Sequence, residues 1–348
     1  MRRQYIYFLF LLLTASSLCS CEKEIGELTE YEAPRLVINA LVTAQAESQI
    51  VHLRMTGPLR TEYVNDATVS IRCNDQPFCE YVTDGDAPAY ALPTTDFQPG
   101  DKVSIDVQKD QHHAYAMAEV PAPVIITGLD TTTVKAKRYK WSHDYTPHTR
   151  YLVHLRLPEG TRSDDLLYFR AEVFKDILTV SSASVDGNVV SNVNLKTDED
   201  HTQFSYWGDP ALTETENADQ ENMSVQFDWL DGIQNIYHVF RSNYFVDGEY
   251  TLRLDLPEPY SYYTKWGYAQ DVRIRIYAIS RTEYNYLQAL AALKTLDSGT
   301  IYDSEPGVTT NITGGAGIFC VESMTEVSFH ENRNLIKVGD NYNQHYQQ

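Results

Sequence analysis

Apolar and polar residues alternate with a period of two along most of this 348-residue chain. Ile50-Val51-His52-Leu53-Arg54-Met55, Ala67-Thr68-Val69-Ser70-Ile71-Arg72 and Val103-Ser104-Ile105-Asp106-Val107 all carry the pattern. Successive side chains of an extended chain point to opposite faces, so such runs make strands with one face buried and the other wet. Leu36-Val37-Ile38-Asn39-Ala40-Leu41-Val42 reads as a further buried strand. Gly57-Pro58, Asp84-Gly85-Asp86 and Pro99-Gly100-Asp101 punctuate the runs with turn residues. Short strands at this spacing predict an immunoglobulin-like β-sandwich over residues 31–121. Val120-Pro121-Ala122-Pro123 closes it as a linker, because proline has no N–H to give to a ladder.

The same alternation returns at 151–157, 166–174, 237–241, 250–256 and 272–279. It predicts a second, larger β-rich sandwich over 122–333, so the chain reads as mainly β. The polar, acidic stretch 181–224 reads as long loops with a few edge strands. One helix stands apart, near 282–296. Ser280-Arg281-Thr282-Glu283 fits a capping box, in which Ser280 takes the Glu283 amide and the Glu283 side chain reaches back. Tyr286, Leu287, Leu290, Ala291, Leu293 and Leu296 then line one side, which suits a helix covering a sheet, and Gly299 follows as a stop. Residues 334–348 form a polar tail.

The first twenty residues read as an address. Arg2 and Arg3 precede an apolar run over 5–13, too short to span a bilayer, as in a secretory signal peptide. Leu18-Cys19-Ser20-Cys21 has the layout of a lipobox, with Leu three residues before Cys21 and a small residue directly before it. Cys21 is the candidate lipidation site, and the bilayer is its partner through two or three acyl chains, since one chain alone holds only marginally. Ordinary signal cleavage with Cys21 left as a plain cysteine is the alternative. Cys19 fits less well as acceptor, with Ser16 three residues before it. Residues 21–30 then serve as a tether, and Glu22-Lys23-Glu24 resembles the surface-export signal of Bacteroidota lipoproteins. Charge agrees with a solvated body held by lipid. Asp plus Glu is 48 against 28 Lys plus Arg, a net −20, which disfavours nucleic acid and anionic headgroups as partners.

Export places the cysteines in an oxidising compartment. Cys73 and Cys79 enclose five residues that look like a hairpin loop, so they either bridge its base or pack as thiols. Cys320 sits in an apolar context and reads as buried and inert. Catalytic signatures are missing from the sequence: it holds no Gly-x-Ser-x-Gly elbow, no His-Glu-x-x-His and no zinc spacing. Gly314-Gly315-Ala316-Gly317 lacks the Lys-Ser/Thr of a phosphate loop and reads as a close backbone approach. No cofactor is expected beyond a possible Ca²⁺ in the loops carrying Asp198-Glu199-Asp200, Asp228 and Asp231. The leading candidate for ligand binding is aromatic: Tyr260, Tyr262, Tyr263, Trp266 and Tyr268 fall within nine residues between two strand patterns. Exposed, they offer rigid faces with polar tips that stack on sugars or anchor proteins; buried, they cap the end of the sandwich. Tyr206 and Trp207 can join the same surface. Asp130-Thr131-Thr132 resembles the three-residue O-glycosylation signal of exported Bacteroidota proteins, with Thr131 the acceptor.

Several blocks in order resemble the Bacteroidota outer-membrane lipoproteins of domain-of-unknown-function family 4249. They are the lipobox with its acidic follow-on, Pro34-Arg35-Leu36-Val37-Ile38-Asn39-Ala40, and Val64-Asn65-Asp66-Ala67-Thr68-Val69-Ser70-Ile71. Phe97-Gln98-Pro99-Gly100-Asp101, Glu119-Val120-Pro121, Ser280-Arg281-Thr282-Glu283-Tyr284 and Asn311-Ile312-Thr313-Gly314-Gly315-Ala316-Gly317-Ile318-Phe319 follow. The resemblance brings no catalytic residues. It implies a non-enzymatic, surface-exposed lipoprotein that captures a ligand or serves as accessory to a TonB-dependent transporter. A structural or adhesive surface module is the second expectation, and a hydrolase with partners far apart in the chain the third.

Overall fold

The alternating runs fold as strands, and their buried positions follow the sequence pattern: Leu36–Thr43 alternates buried and half-buried along all eight residues. The structure, a computed structural model, describes residues 33–47, 49–56, 62–84, 89–137, 143, 145–162, 164–186, 189–201, 209–213, 235–258, 268–296 and 308–333, with backbone alone over 179–201. The first half runs β1 (Leu36–Thr43), β2 (Gln45–Ala46), β3 (Gln49–Met55), β4 (Glu62–Tyr63) and β5 (Asn65–Cys73). It continues with β6 (Gln76–Asp84), β7 (Ala89–Leu92), β8 (Thr95–Asp96), β9 (Lys102–Lys109) and β10 (His112–Glu119). The second half holds β11 (Ile125–Lys137), β12 (Tyr145–Arg156), β13 (Tyr168–Asp186), β14 (Val189–His201), β15 (Val239–Arg241), β16 (Glu249–Pro257) and β17 (Tyr268–Ile279). The long helix α1 (Arg281–Leu296) and the strand β18 (Gly315–Arg333) follow.

The chain is mainly β, as the alternation requires. In the first sandwich the sheet β10-β9-β5-β6 packs its inner face against β18, β1 and β3. Val69, Ile71, Ile105 and Val107 meet Leu36, Ile38, Val51 and Leu53 there. In the second, β11-β12-β16 packs against β13, β17 and β18, with Tyr151, Val153, Leu252 and Leu254 facing Phe169, Val173, Val272 and Ile274. Each such side chain contributes about 1.5–3 kcal/mol on burial.

One strand belongs to both sandwiches. The first part of β18 lies parallel to β1, from Leu36 opposite Gly315 to Thr43 opposite Glu322. From Ser323 onward it runs antiparallel to β17 instead, out to Asn332 opposite Ala269. Residue 121 follows directly on the last strand of the first half, yet the first core is completed by Ile312, Phe319 and Val321 from the far end of the chain. The glycine block makes that entry possible. A Cβ on Gly317, where φ is +94°, would stand 2.1 Å from the Ile38 carbonyl oxygen, and one on Gly314 2.3 Å from that of His113. The close backbone approach read from the sequence is therefore what these glycines provide. The Asn311 side chain replaces a missing strand partner, donating to the Phe319 carbonyl at 2.6 Å and accepting its N–H at 3.0 Å.

Three expectations change in detail. The edge strands expected in the acidic stretch are longer than read: over the described residues β13 and β14 pair from Phe174–His201 to Asp186–Val189. An edge strand needs a backbone partner more than an apolar face, so its polar sequence hid its length. The β5–β6 turn is two residues, Asn74 and Asp75, both with positive φ, rather than a five-residue loop. Cys73 then stands opposite Gln76 and Cys79 opposite Ile71, so the two are not cross-strand partners, and both are free thiols. Helix α1 buries Glu283, Tyr284, Leu287 and Ala291, a face rotated from the one expected; Tyr286 and Leu290 are only half-buried.

Candidate functional site

The most concentrated chemistry among the described side chains lies where β18 changes sheets. Glu322 is the last residue paired with β1, and Ser323 the first paired with β17. The Glu322 carboxylate, on a side chain 4% exposed, is gripped from both sandwiches. Thr43 Oγ1, on β1, donates to its Oε1 at 3.1 Å. Arg170 Nη2, on β13, donates to Oε1 at 3.0 Å and to Oε2 at 2.8 Å. Arg170 Nη1 turns to Glu172, and the guanidinium lies 4.1 Å from the centre of the Tyr277 ring. Two further bonds fix the linker beside it: Ser323 Oγ donates to the Pro121 carbonyl at 2.6 Å and Thr325 Oγ1 to that of Val124 at 2.7 Å. The joint is thus tied by strand pairing, linker and ion pair together.

Helix α1 roofs this cluster. Its first turn is capped as the sequence predicts, with the Glu283 N–H donating to Ser280 Oγ at 3.1 Å. The reciprocal half of the capping box is not made. The Glu283 side chain is fully buried and turns toward Glu322 and Arg170, and neither of its oxygens has a hydrogen-bond partner. Burial raises the Glu283 pKa well above the carboxylate range; the neighbouring Glu322 charge adds to this, and Arg170 opposes it. Burial also works against the charge on Arg170, but Glu322, Glu172 and Glu283 outweigh it and push the Arg170 pKa up. Burial, with Arg170 adding, draws the His238 pKa down to about 4, so that imidazole is neutral near pH 7. Burial and then Glu283 push the Cys320 thiol up, which agrees with an inert cysteine. Sequence reasoning missed Arg170, Glu172, Glu322 and Tyr277. Arg170 and Glu172 occupy the polar positions of an ordinary alternating strand, and it is packing from distant parts of the chain that buries Arg170.

The predicted site residues divide. Cys21, Tyr260, Tyr262, Tyr263 and Trp266 lie outside the described residues, as do Tyr206, Trp207, Asp228, Asp231 and Gly299. Tyr268 is described and is buried at the start of β17. Thr131 is exposed on β11, opposite Tyr151. Asp198, Glu199 and Asp200 fall on strand β14. Among the described residues no group of three or more His, Cys, Asp or Glu side chains is placed to hold a metal ion. No described helix is long and apolar enough to cross a membrane.

Strand β18 runs between two landmarks in the described residues. The described chain begins at Ala33, and Leu36 pairs with the first residue of β18. The aromatic segment departs at Glu258 and returns at Tyr268, whose neighbour Ala269 pairs with Asn332 near the other end. With 19 residues, β18 is about 60 Å long at the usual strand rise. A third arrangement sits on an open face: His154 Nδ1 meets Thr251 Oγ1 at 3.0 Å and Nε2 meets Asp130 Oδ2 at 3.0 Å. The order hydroxyl–imidazole–carboxylate suits a nucleophile in a dry cleft. Here the Asp130 side chain is 74% exposed, and water weakens the pair.

The sequence profile of the family described as Domain of unknown function (DUF4249) matches residues 22–328. The chain belongs to the DUF4249 family. No curated protein matches it. The blocks that carried the resemblance act as the fastenings of this DUF4249 fold. Asp101 takes the Gln98 N–H at 2.7 Å and the Asn74 side-chain amide at 2.7 Å, clamping two turns together. Val120 exchanges backbone bonds with Gly100 and Asp101, the block at 280–284 opens the roofing helix, and the block at 311–319 threads β18 into the first sandwich.

Proposed function

We propose that this DUF4249 protein is a non-enzymatic lipoprotein, anchored in the outer membrane through Cys21 and exposed at the cell surface. It captures a ligand, or serves as an accessory, beside a TonB-dependent transporter. The observation that carries this reading is that the family match starts at Glu22, directly after the lipobox cysteine. The arrangement at the joint favours a mechanical part over a chemical one: Glu283, on the inner side of α1, and Glu322 are both buried, and Arg170 serves the joint.

Affinity purification of the tagged protein from detergent-solubilised outer membranes should recover a transporter, and its repeated absence would count decisively against the accessory role. Replacing Tyr260, Tyr262, Tyr263 and Trp266 by alanine together is expected to abolish ligand capture while leaving the melting temperature within a few degrees. Protease shaving of whole cells should remove the protein. The second reading, an adhesive or spacing module, draws on the same rigid joint. It predicts that deletion weakens cell adhesion while no transporter co-purifies.

A further inference from the structure

We propose that a proton closes the joint between the two sandwiches: Glu283 stays a neutral carboxylic acid that donates to Glu322, and ionising it loosens α1 and the joint beneath. Three carboxyl groups, Glu172, Glu283 and Glu322, surround the single guanidinium of Arg170. Glu322 takes Arg170 Nη2 and the Thr43 hydroxyl, and Glu172 takes Nη1. None of these bonds is aimed at Glu283, whose two oxygens lack partners at zero exposure; Arg170 Nε is without a partner too and does not bond Glu283. Two carboxylates side by side are both acceptors, so no hydrogen bond can join them. With one proton between them, Glu283 becomes an O–H donor to Glu322 and the repulsion disappears.

Among the described residues, the other groups facing the pair supply no second cation. Cys320 on β18 and Tyr277 on β17 are both pushed up by burial and stay neutral near pH 7. His238, which precedes β15, is neutral there as well. Ser280 Oγ accepts the Glu283 N–H at 3.1 Å and meets Cys320 Sγ at 3.5 Å rather than the Glu283 carboxyl. The position of the pair sets the consequence. Glu283 belongs to the roofing helix, Glu322 to the strand common to both sandwiches, Arg170 to the second sandwich and Thr43 to the first. A charge forced onto Glu283 therefore acts on the contact that fixes one sandwich against the other. This inference stands whether or not the protein serves a transporter.

The sign follows from linkage. An unfolded Glu ionises near pH 4.3. Above that the unfolded chain releases a proton that the folded chain keeps, so this group's contribution to stability falls as pH rises, until Glu283 ionises in the fold as well. Over that window the unfolding constant rises about tenfold per pH unit from this group alone. The test uses the purified full chain and its Glu283→Gln variant. Infrared spectra at neutral pH should show a neutral carboxylic C=O band that is absent from E283Q and that fades in wild type under alkaline conditions. As it fades, amide exchange in α1, corrected for its intrinsic pH dependence, should accelerate in wild type and stay level in E283Q. The midpoint of denaturation should fall between pH 6 and pH 9 more steeply in wild type than in E283Q. No neutral carboxyl band at neutral pH, or equal slopes in the two proteins, overturns the proposal. Should E283Q fail to fold, the infrared titration of wild type decides alone.

Discussion

Arg170 joins three elements through one planar group, and its removal has a definite cost. Arg170→Ala leaves Glu322 buried without its cation, held by the Thr43 hydroxyl and the neutral Glu283. Losing one partner of a buried ion pair typically destabilises by about 3–5 kcal/mol. Urea denaturation of R170A should therefore show a midpoint shift of that size, against about 1 kcal/mol for Thr43→Ala, which removes a single hydrogen bond. Arg170→Lys should recover only part of the loss, because an ammonium cannot span Glu172 and Glu322 as a fork does. At this scale the sequence was readable for Ser280, whose hydroxyl caps the helix, and unreadable for Glu283. The spacing of a capping box fixes where Glu283 lies on the helix. Its side-chain partner depends on what the helix covers, and that is settled by residues far away in the chain.

Strands and their turns were largely legible, because alternation is a local property that burial enforces. The runs at 50–55, 67–72, 103–107, 151–157 and 272–279 all fall on strands. The glycines at 314–317 were legible as a close approach, though not which backbone they approach. Gly317→Ala would drive a Cβ into the Ile38 carbonyl at a φ that alanine avoids. A loss of about 2–4 kcal/mol is expected, read as a lowered denaturation midpoint, whereas Gly160→Ala, with nothing within 4 Å, should lose only the cost of its positive φ. What stayed hidden has a common physical cause. Strand β14 is polar because it lies at a sheet edge, and its presence follows from pairing with β13 rather than from its own residues. The two-residue turn at Asn74 and Asp75 hid behind the flanking cysteines, which drew the eye to a loop closed by a bridge. For the candidate site, only Tyr268 of the aromatic group falls within the described residues, and there the burial alternative holds.

The whole molecule depends on a strand contributed from its far end. A fragment of residues 33–121 lacks β18, so the β1 edge is unpaired and Phe319 and Val321 are missing from its core. It is expected to show no cooperative thermal transition by circular dichroism, and appending residues 308–322 through a flexible linker should restore one. A folded 33–121 fragment would mean that the first sandwich stands by its own core. The sequence gives no hint of this sharing, because periodicity reports that a strand exists and not which sheet receives it. The shared strand also sets a schedule. Thr43 and Glu322, bonded partners, are 279 residues apart, and closing so long a loop carries an entropic cost before any contact rewards it. During synthesis the first half emerges early and must wait, its apolar β1 edge open to wrong partners. The earliest-made half of the molecule is thus the one completed last, and the lifetime of that open edge governs how much chain reaches the native state.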